Sequence, residues 1–177
     1  MRLVTAPRTD GRWSGKGWVI AMTMTYEVTD RILTGQFTAV VRGEIPREQL
    51  PAWLRRTFHN VDRYLRRRNI EAVGPPFARY AFLGDQVAVE AGFPVWFEVP
   101  GEGRVQPSRL PGGPAAVTTH HGRYEDLEDA YAAARRWLTV HGRAPIGAHW
   151  EVYYTDPSVE PDPTRWRTDV VVPYRVG

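Results

Sequence analysis

Two stretches of this sequence run in parallel. Ala39-Val40 recurs as Ala116-Val117 and Leu50 as Leu127, both 77 residues on. Gly74 and Tyr80 recur as Gly147 and Tyr153 at an offset of 73, and Phe93-Pro94 answers to Val172-Pro173 at 79. The matches keep their order, and each half reads strand–helix–strand–strand, so a duplicated unit is predicted. Two such units that join edge strands give an α+β fold of tandem βαββ repeats with pseudo-twofold symmetry. Its antiparallel sheet carries two helices on one side, and the other side, or the seam between the copies, is left as a concave surface where a ligand would sit.

The elements follow from periodicity and turn chemistry. Glu27–Leu33 and Gln36–Arg42 alternate like strands around Thr34-Gly35, which reads as a hairpin turn. Pro46 opens a helix to about Arg68, with Leu50, Leu54, Phe58, Val61 and Leu65 on one face. Phe77–Leu83 and Gln86–Phe93 are strands joined at Gly84-Asp85. In the second half, Ala115–His120 is a strand, Tyr124 to about Val140 a helix, and 148–155 and 167–173 are strands. Repeat one is thus assigned to residues 26–99 and repeat two to 115–177. The Pro/Gly-rich connector 100–114 is expected to be a surface loop. Residues 1–25 have no period and read as a loosely structured extension. Four basic residues precede the apolar run 17–22 there, but that run is at the short end for a leader and no small-residue cleavage site follows. A cytoplasmic location is expected.

Composition narrows the chemistry. The chain of 177 residues is 42% hydrophobic and 24% charged, which is globular usage. It has no cysteine, which removes disulfides, thiolate metal sites and cysteine nucleophiles. The net charge of +3 is small for a nucleic-acid binder, so no direct nucleic-acid contact is expected. No segment reaches the ~20 apolar residues of a membrane span. His120 and His121 are consecutive on a strand and point to opposite faces, so they do not share a metal ion. Neither a metal nor another cofactor is expected. The serines lack the context of a nucleophile elbow, and Gly101-Glu102-Gly103 opens no helix.

The stretch His149-Trp150-Glu151-Val152-Tyr153-Tyr154 is the most informative. Alternation puts His149, Glu151 and Tyr153 on one strand face. Trp150, Val152 and Tyr154 take the other, which is suited to packing under the helices. A mid-strand glutamate among aromatics, far in sequence from arginine, is either a recognition group or one half of an ion pair. Tyr80 is the first-repeat counterpart of Tyr153. Trp96 and Tyr124 are placed to line a cleft or to pack, and Phe97 reads as an anchor. The first helix also carries Arg55, Arg56, Arg63, Arg66, Arg67 and Arg68, either a solvated face or a surface for an acidic protein partner.

The segment Ala116-Val117-Thr118-Thr119-His120-His121-Gly122-Arg123-Tyr124, Trp137-Leu138, Gly147, Trp150-Glu151-Val152-Tyr153 with Thr155-Asp156-Pro157, and Val171-Val172-Pro173-Tyr174 resembles the GyrI-like small-molecule-binding family. The similarity is best over residues 115–174 and weaker over 26–95. The resemblance implies a ligand cleft between the repeats, with the family's cleft acid at Glu151 and its aromatic at Tyr153. His149, Tyr80, Trp96 and Tyr124 are the further candidate ligand-binding residues. It implies binding of hydrophobic aromatic molecules, cations among them, as in the effector domains of multidrug-sensing regulators. Drug or toxin sequestration, and hence antibiotic resistance, is the role expected.

Two departures qualify the likeness. Residues 1–25 are too short for a helix-turn-helix region, so a DNA-binding regulator is not expected. Ala78 stands where a second cleft acid would map. Some stand-alone relatives are hydrolases that open the cyclopropane rings of DNA-alkylating natural products. In that alternative Glu151 and Tyr153 are catalytic, as base and hydrogen-bond donor. Modulation of DNA gyrase through the arginine-rich helix is a second alternative.

Overall fold

The computed structural model describes residues 26–176, and the extension expected at 1–25 lies outside the described residues. Repeat one supplies β2 (Gln36–Pro46), α1 (Leu50–Arg67), β3 (Phe77–Leu83) and β4 (Gln86–Val95). Repeat two supplies β6 (Gly113–His121), α2 (Leu127–Val140), β8 (Trp150–Tyr153) and β9 (Arg167–Arg175). Three strands lie outside this scheme: β1 (Val28–Leu33), β5 (Gln106–Leu110) and the two-residue β7 (Ala144–Pro145), which pairs with β9. Both helices start through a 3₁₀ turn, and Pro51 sits in the first turn of α1, where a missing N–H costs nothing.

All strand pairs are antiparallel, and the order is β1-β6-β9-β8-β3-β4-β2-β5. That order is a palindrome about the β8–β3 pair once β2, β3 and β4 are matched with β6, β8 and β9. The registers obey the same rule. Thr38 pairs with Pro94 as Ala115 pairs with Pro173, and Phe77 pairs with Val152 as Arg79 pairs with Trp150. These correspondences use the offsets 77, 79 and 73 read from the sequence. Helix burial repeats too: Trp53, Thr57 and Val61 of α1 correspond to Ala130, Ala134 and Leu138 of α2.

Two expectations are corrected at the outer strands. Thr34-Gly35 is not a hairpin turn, because β1 pairs with β6 of the other repeat. The connector 100–114 is not simply a loop, because it contains β5, which pairs with β2. Each repeat is therefore preceded by a strand that crosses to the opposite copy: Leu33 lies opposite Gly113, and Leu110 opposite Gln36. The crossing segments meet at Gly35 and Gly112, where a Cβ on Gly112 would come within 2.7 Å of the Gly35 nitrogen. Pro107 is tolerated because β5 is an edge strand.

The core has a layer on each side of the sheet. On the helix side, α1 packs on Ala39, Val41, Val89 and Ala91, and α2 on Ala116, Val170 and Val172. On the other side, Val40, Phe77, Val117, Trp150 and Val171 form a separate apolar cluster with Leu33 and Leu110 of the crossing strands. Trp150 and Val152 therefore pack away from the helices, and the face that carries Glu151 is the one the helices cover. Apolar side chains on both strand faces explain the difference, since alternation alone does not say which face meets a helix.

Candidate functional site

β8 and β3 are the central strands, and Glu151 pairs directly with Ala78 across them. Next along, Tyr80 lies opposite His149, its N–H bonding to the His149 carbonyl at 3.2 Å. On β8 itself, Tyr153 follows Glu151 by two residues and so shares its face. The repeat-equivalent tyrosines Tyr80 and Tyr153 turn toward the centre, and their hydroxyls hydrogen-bond to each other. From above, α2 brings Tyr131 down onto the acid, while Phe58 of α1 stands edge-on to the Tyr153 ring at 5.7 Å.

Glu151 is 8% exposed. Its Oε2 accepts the Tyr153 hydroxyl at 2.6 Å and the Tyr80 hydroxyl at 3.4 Å, and its Oε1 accepts the Tyr131 hydroxyl at 2.7 Å. Among the described residues no arginine or histidine pairs with it. Glu90, on the opposite face of the sheet, shows the contrast: Arg42 and Arg79 each reach it at 2.7 Å, and Ser108 donates at 2.9 Å. Glu90 is neutralised, whereas Glu151 is solvated by phenols alone.

The electrostatics follow from that environment. Burial pushes the Glu151 carboxyl above the usual range, and the hydrogen bonds from Tyr153, Tyr131 and Tyr80 pull it part of the way back. The same burial, with the acid nearby, pushes the hydroxyls of Tyr80, Tyr131 and Tyr153 up, so these phenols stay protonated as donors. Burial also pushes Tyr124 up to about 12. Chemically, this is a carboxyl group in an apolar shell with three O–H dipoles aimed at it.

Aromatic rings surround this centre. Tyr124 stands edge-on to Tyr153 at 5.6 Å and leans on Trp166 at 5.1 Å. His149 meets the Tyr131 ring at 4.7 Å and stacks with Phe82 at 6.2 Å, and Phe82 stacks in turn on Tyr80 at 6.1 Å. The His149 Nε2 is buried without a hydrogen-bond partner, and burial lowers its pKa, so the ring is held neutral at this rim.

Glu151, Tyr153, Tyr80, His149 and Tyr124 are thus brought together. Trp96 is not: Ala91, Phe93 and Val95 of β4 point toward the helices, and Trp96, one residue past Val95, is 75% exposed. Tyr131, Phe82, Phe58 and Trp166 are members of the cluster that the sequence reading missed. Phe82 lies two residues from Tyr80 on the same strand face, a signal alternation offered. Tyr131 sat on the apolar stripe of its helix and gave no sign that its hydroxyl would matter. His120 is structural, with Nδ1 on the Tyr26 hydroxyl at 2.7 Å and Nε2 on the Arg123 carbonyl at 2.8 Å. Of the arginines of α1 and its C-terminal cap, Arg66 pairs with Asp62, and Arg67 and Arg68 with Glu102.

The family model described as GyrI-like small molecule binding domain matches residues 48–175. No curated protein matches the sequence. Among solved structures, the EcmrR C-terminal domain has a TM-score of 0.77 at 17% identity, covering 87% of this chain and 100% of that one. The EcmrR–DNA complex gives 0.75 at 17% identity over 86% of this chain, which spans only 58% of that longer chain. A hydrolase from Listeria innocua gives 0.59 at 12% identity, covering 84% of this chain and 92% of that one. SAV2435 bound to tetraphenylphosphonium gives 0.55 at 6% identity, with coverages of 86% and 94%. At these identities the likeness establishes the fold.

Proposed function

The chain belongs to the GyrI-like small-molecule-binding domain family, and from that premise we propose that its site captures hydrophobic aromatic cations, with Glu151 as the charge partner. One observation carries this reading: a buried carboxylate has three phenol donors and, among the described residues, no cationic side chain. A compact ammonium would lose too much hydration to enter such a place. A cation whose charge is spread over rings loses little, and it gains both the carboxylate and the faces of surrounding aromatics.

The phenol hydrogens supply the positive ends that a bound cation would supply. Tyr131 is the donor best placed to give way, since it comes from a helix at the rim beside His149 and half-exposed Phe82. Tyr80, Tyr153 and Tyr124 would then form the walls. That SAV2435 has been seen with tetraphenylphosphonium supports the class of ligand for this fold. Sequestration of toxic compounds in the cytoplasm is the role that suits such a site.

The test is equilibrium dialysis of tetraphenylphosphonium, and of neutral triphenylphosphine oxide, against the wild type and Glu151→Gln. A charge-assisted contact of ~1.5–3 kcal/mol predicts a loss of roughly tenfold or more for the cation. The neutral compound should bind both proteins alike. Equal losses for the two compounds would refute the role given to Glu151.

A second reading has its own observation, the 2.6 Å contact between the Tyr153 hydroxyl and Glu151. In a hydrolase that opens strained cyclopropane rings, Glu151 would take a proton from water as the water oxygen bonds to a ring carbon. The breaking carbon–carbon bond would send its electrons into a conjugated carbonyl, whose oxygen Tyr153 would hydrogen-bond. Mass spectrometry of an alkylating cyclopropanoid after incubation decides it, since turnover adds one water to the compound. Modulation of gyrase has less support, because three of the arginines of α1 and its C-terminal cap are paired within the chain.

A further inference from the structure

We infer a second binding site of opposite polarity, in the groove between α1 and the turn that precedes β5, taking a small organic anion with a flat apolar body. The groove encloses about 500 Å³, within the ~300–1,000 Å³ usual for ligand sites. Trp53 and Val105, both buried, form its floor. The indole of Trp53 lies against the backbone at Gly43, where an added Cβ would come within 3.0 Å of the ring. That glycine lets the aromatic plane seat flat.

The walls are basic. Arg56, Arg63 and Arg67 follow one side of α1, and Arg104 faces them from the turn. Among the described residues Glu102 is the one acid lining the groove, and its two oxygens are taken by Arg67 at 2.9 Å and Arg68 at 2.7 Å. Among the described residues Arg56, Arg63 and Arg104 make no ion pair. Three guanidiniums outside any ion pair thus line the groove beside an aromatic floor. Their planar forks match sulfonate, carboxylate or phosphate oxygens in pairs.

The occupant is a small molecule because the groove is bounded. The Arg67–Glu102 pair is a strut from α1 to the turn, and Glu102 and Val105 bond to each other in both directions at 2.9 and 3.0 Å. An extended peptide would have to break that strut, whereas a two-ring anion would not. The N-terminal residues of this chain carry four basic side chains and no complementary charge for this site beyond Asp10.

The probe is 8-anilinonaphthalene-1-sulfonate, followed by fluorescence at low salt with the full chain. Arg63→Glu and Arg104→Glu, both at exposed positions, should each weaken binding about tenfold or more. Arg55→Glu, which changes net charge equally but does not line the groove, should have little effect, as should Glu151→Gln. Added salt should weaken the wild type toward the reversed variants. Unchanged affinity in the two reversals would overturn the inference. So would a matching loss in Arg55→Glu, which reports net charge alone, or tighter binding to Glu151→Gln, which would put the anionic dye beside the carboxyl of the first site. Displacement of the dye by a polyglutamate peptide at lower concentration than by naphthalene sulfonate would also overturn it, by marking a protein-docking surface.

Discussion

Glu151 and Ala78 are the same position of the two repeats, and they face each other across the central strand pair. The duplicated scaffold is therefore symmetric where its chemistry is not. Ala78 is fully buried, so Ala78→Glu adds both volume and a second carboxyl to a closed space. We expect a loss of about 2–4 kcal/mol, measured by urea unfolding. The loss should deepen as pH rises, because two adjacent carboxyls resist joint ionisation. A loss that does not change between pH 4 and pH 8 would contradict the pairing.

Glu151 itself predicts a pH trend. Burial raises its folded pKa and the phenols only partly oppose this, so the folded state holds the proton more tightly than the unfolded chain. The contribution is fully present below the unfolded value, about 4.3. It is lost as pH rises from there through the raised folded value. Glu151→Gln removes this loss. Its urea midpoint minus that of the wild type should grow from pH 4 to pH 8, and a constant difference would show that Glu151 is not perturbed.

Tyr131→Phe deletes the donor to Oε1 at 2.7 Å and leaves the buried acid with the two sheet tyrosines. The expected cost is about 1–3 kcal/mol near neutral pH. In a Glu151→Gln background the same change should cost less. A double-mutant cycle on unfolding free energies measures the coupling, and strict additivity would mean that the contact is not formed.

Gly92→Ala tests the sheet that carries the site. A Cβ there would lie 1.9 Å from the Ala39 carbonyl oxygen of β2, a backbone atom that cannot turn away. β2 and β4 would have to separate. The loss should be about 3 kcal/mol or more by thermal or urea unfolding, and a near-neutral variant would contradict the close approach.

The repeated pattern was legible because residue type is restricted where side chains are buried: Ala39 and Ala116, and Tyr80 and Tyr153, occupy matching positions. The shared face of Glu151 and Tyr153 followed from alternation along β8, and Tyr80 from its repeat offset to Tyr153. The destination of β1 did not, because a turn-like Thr34-Gly35 favours a local hairpin on paper. The exchange of β1 and β5 depends on pairings 66 or more residues apart. β5 was hidden by Pro107 and by the prolines and glycines that flank it, and Pro107 is tolerated because β5 is an edge strand. Tyr131 was hidden for another reason. A tyrosine on a helix stripe buries its ring whether or not its hydroxyl has work to do, and only the fold reveals the acid beneath it.

The most direct measurement is the ¹³C resonance of the Glu151 side-chain carboxyl, followed through a pH titration with and without saturating tetraphenylphosphonium. The apparent pKa should start above the ordinary glutamate range and fall when the cation is bound, as the carboxylate gains a charge partner. Superimposable titration curves in the free and saturated protein would contradict a site built around that carboxylate.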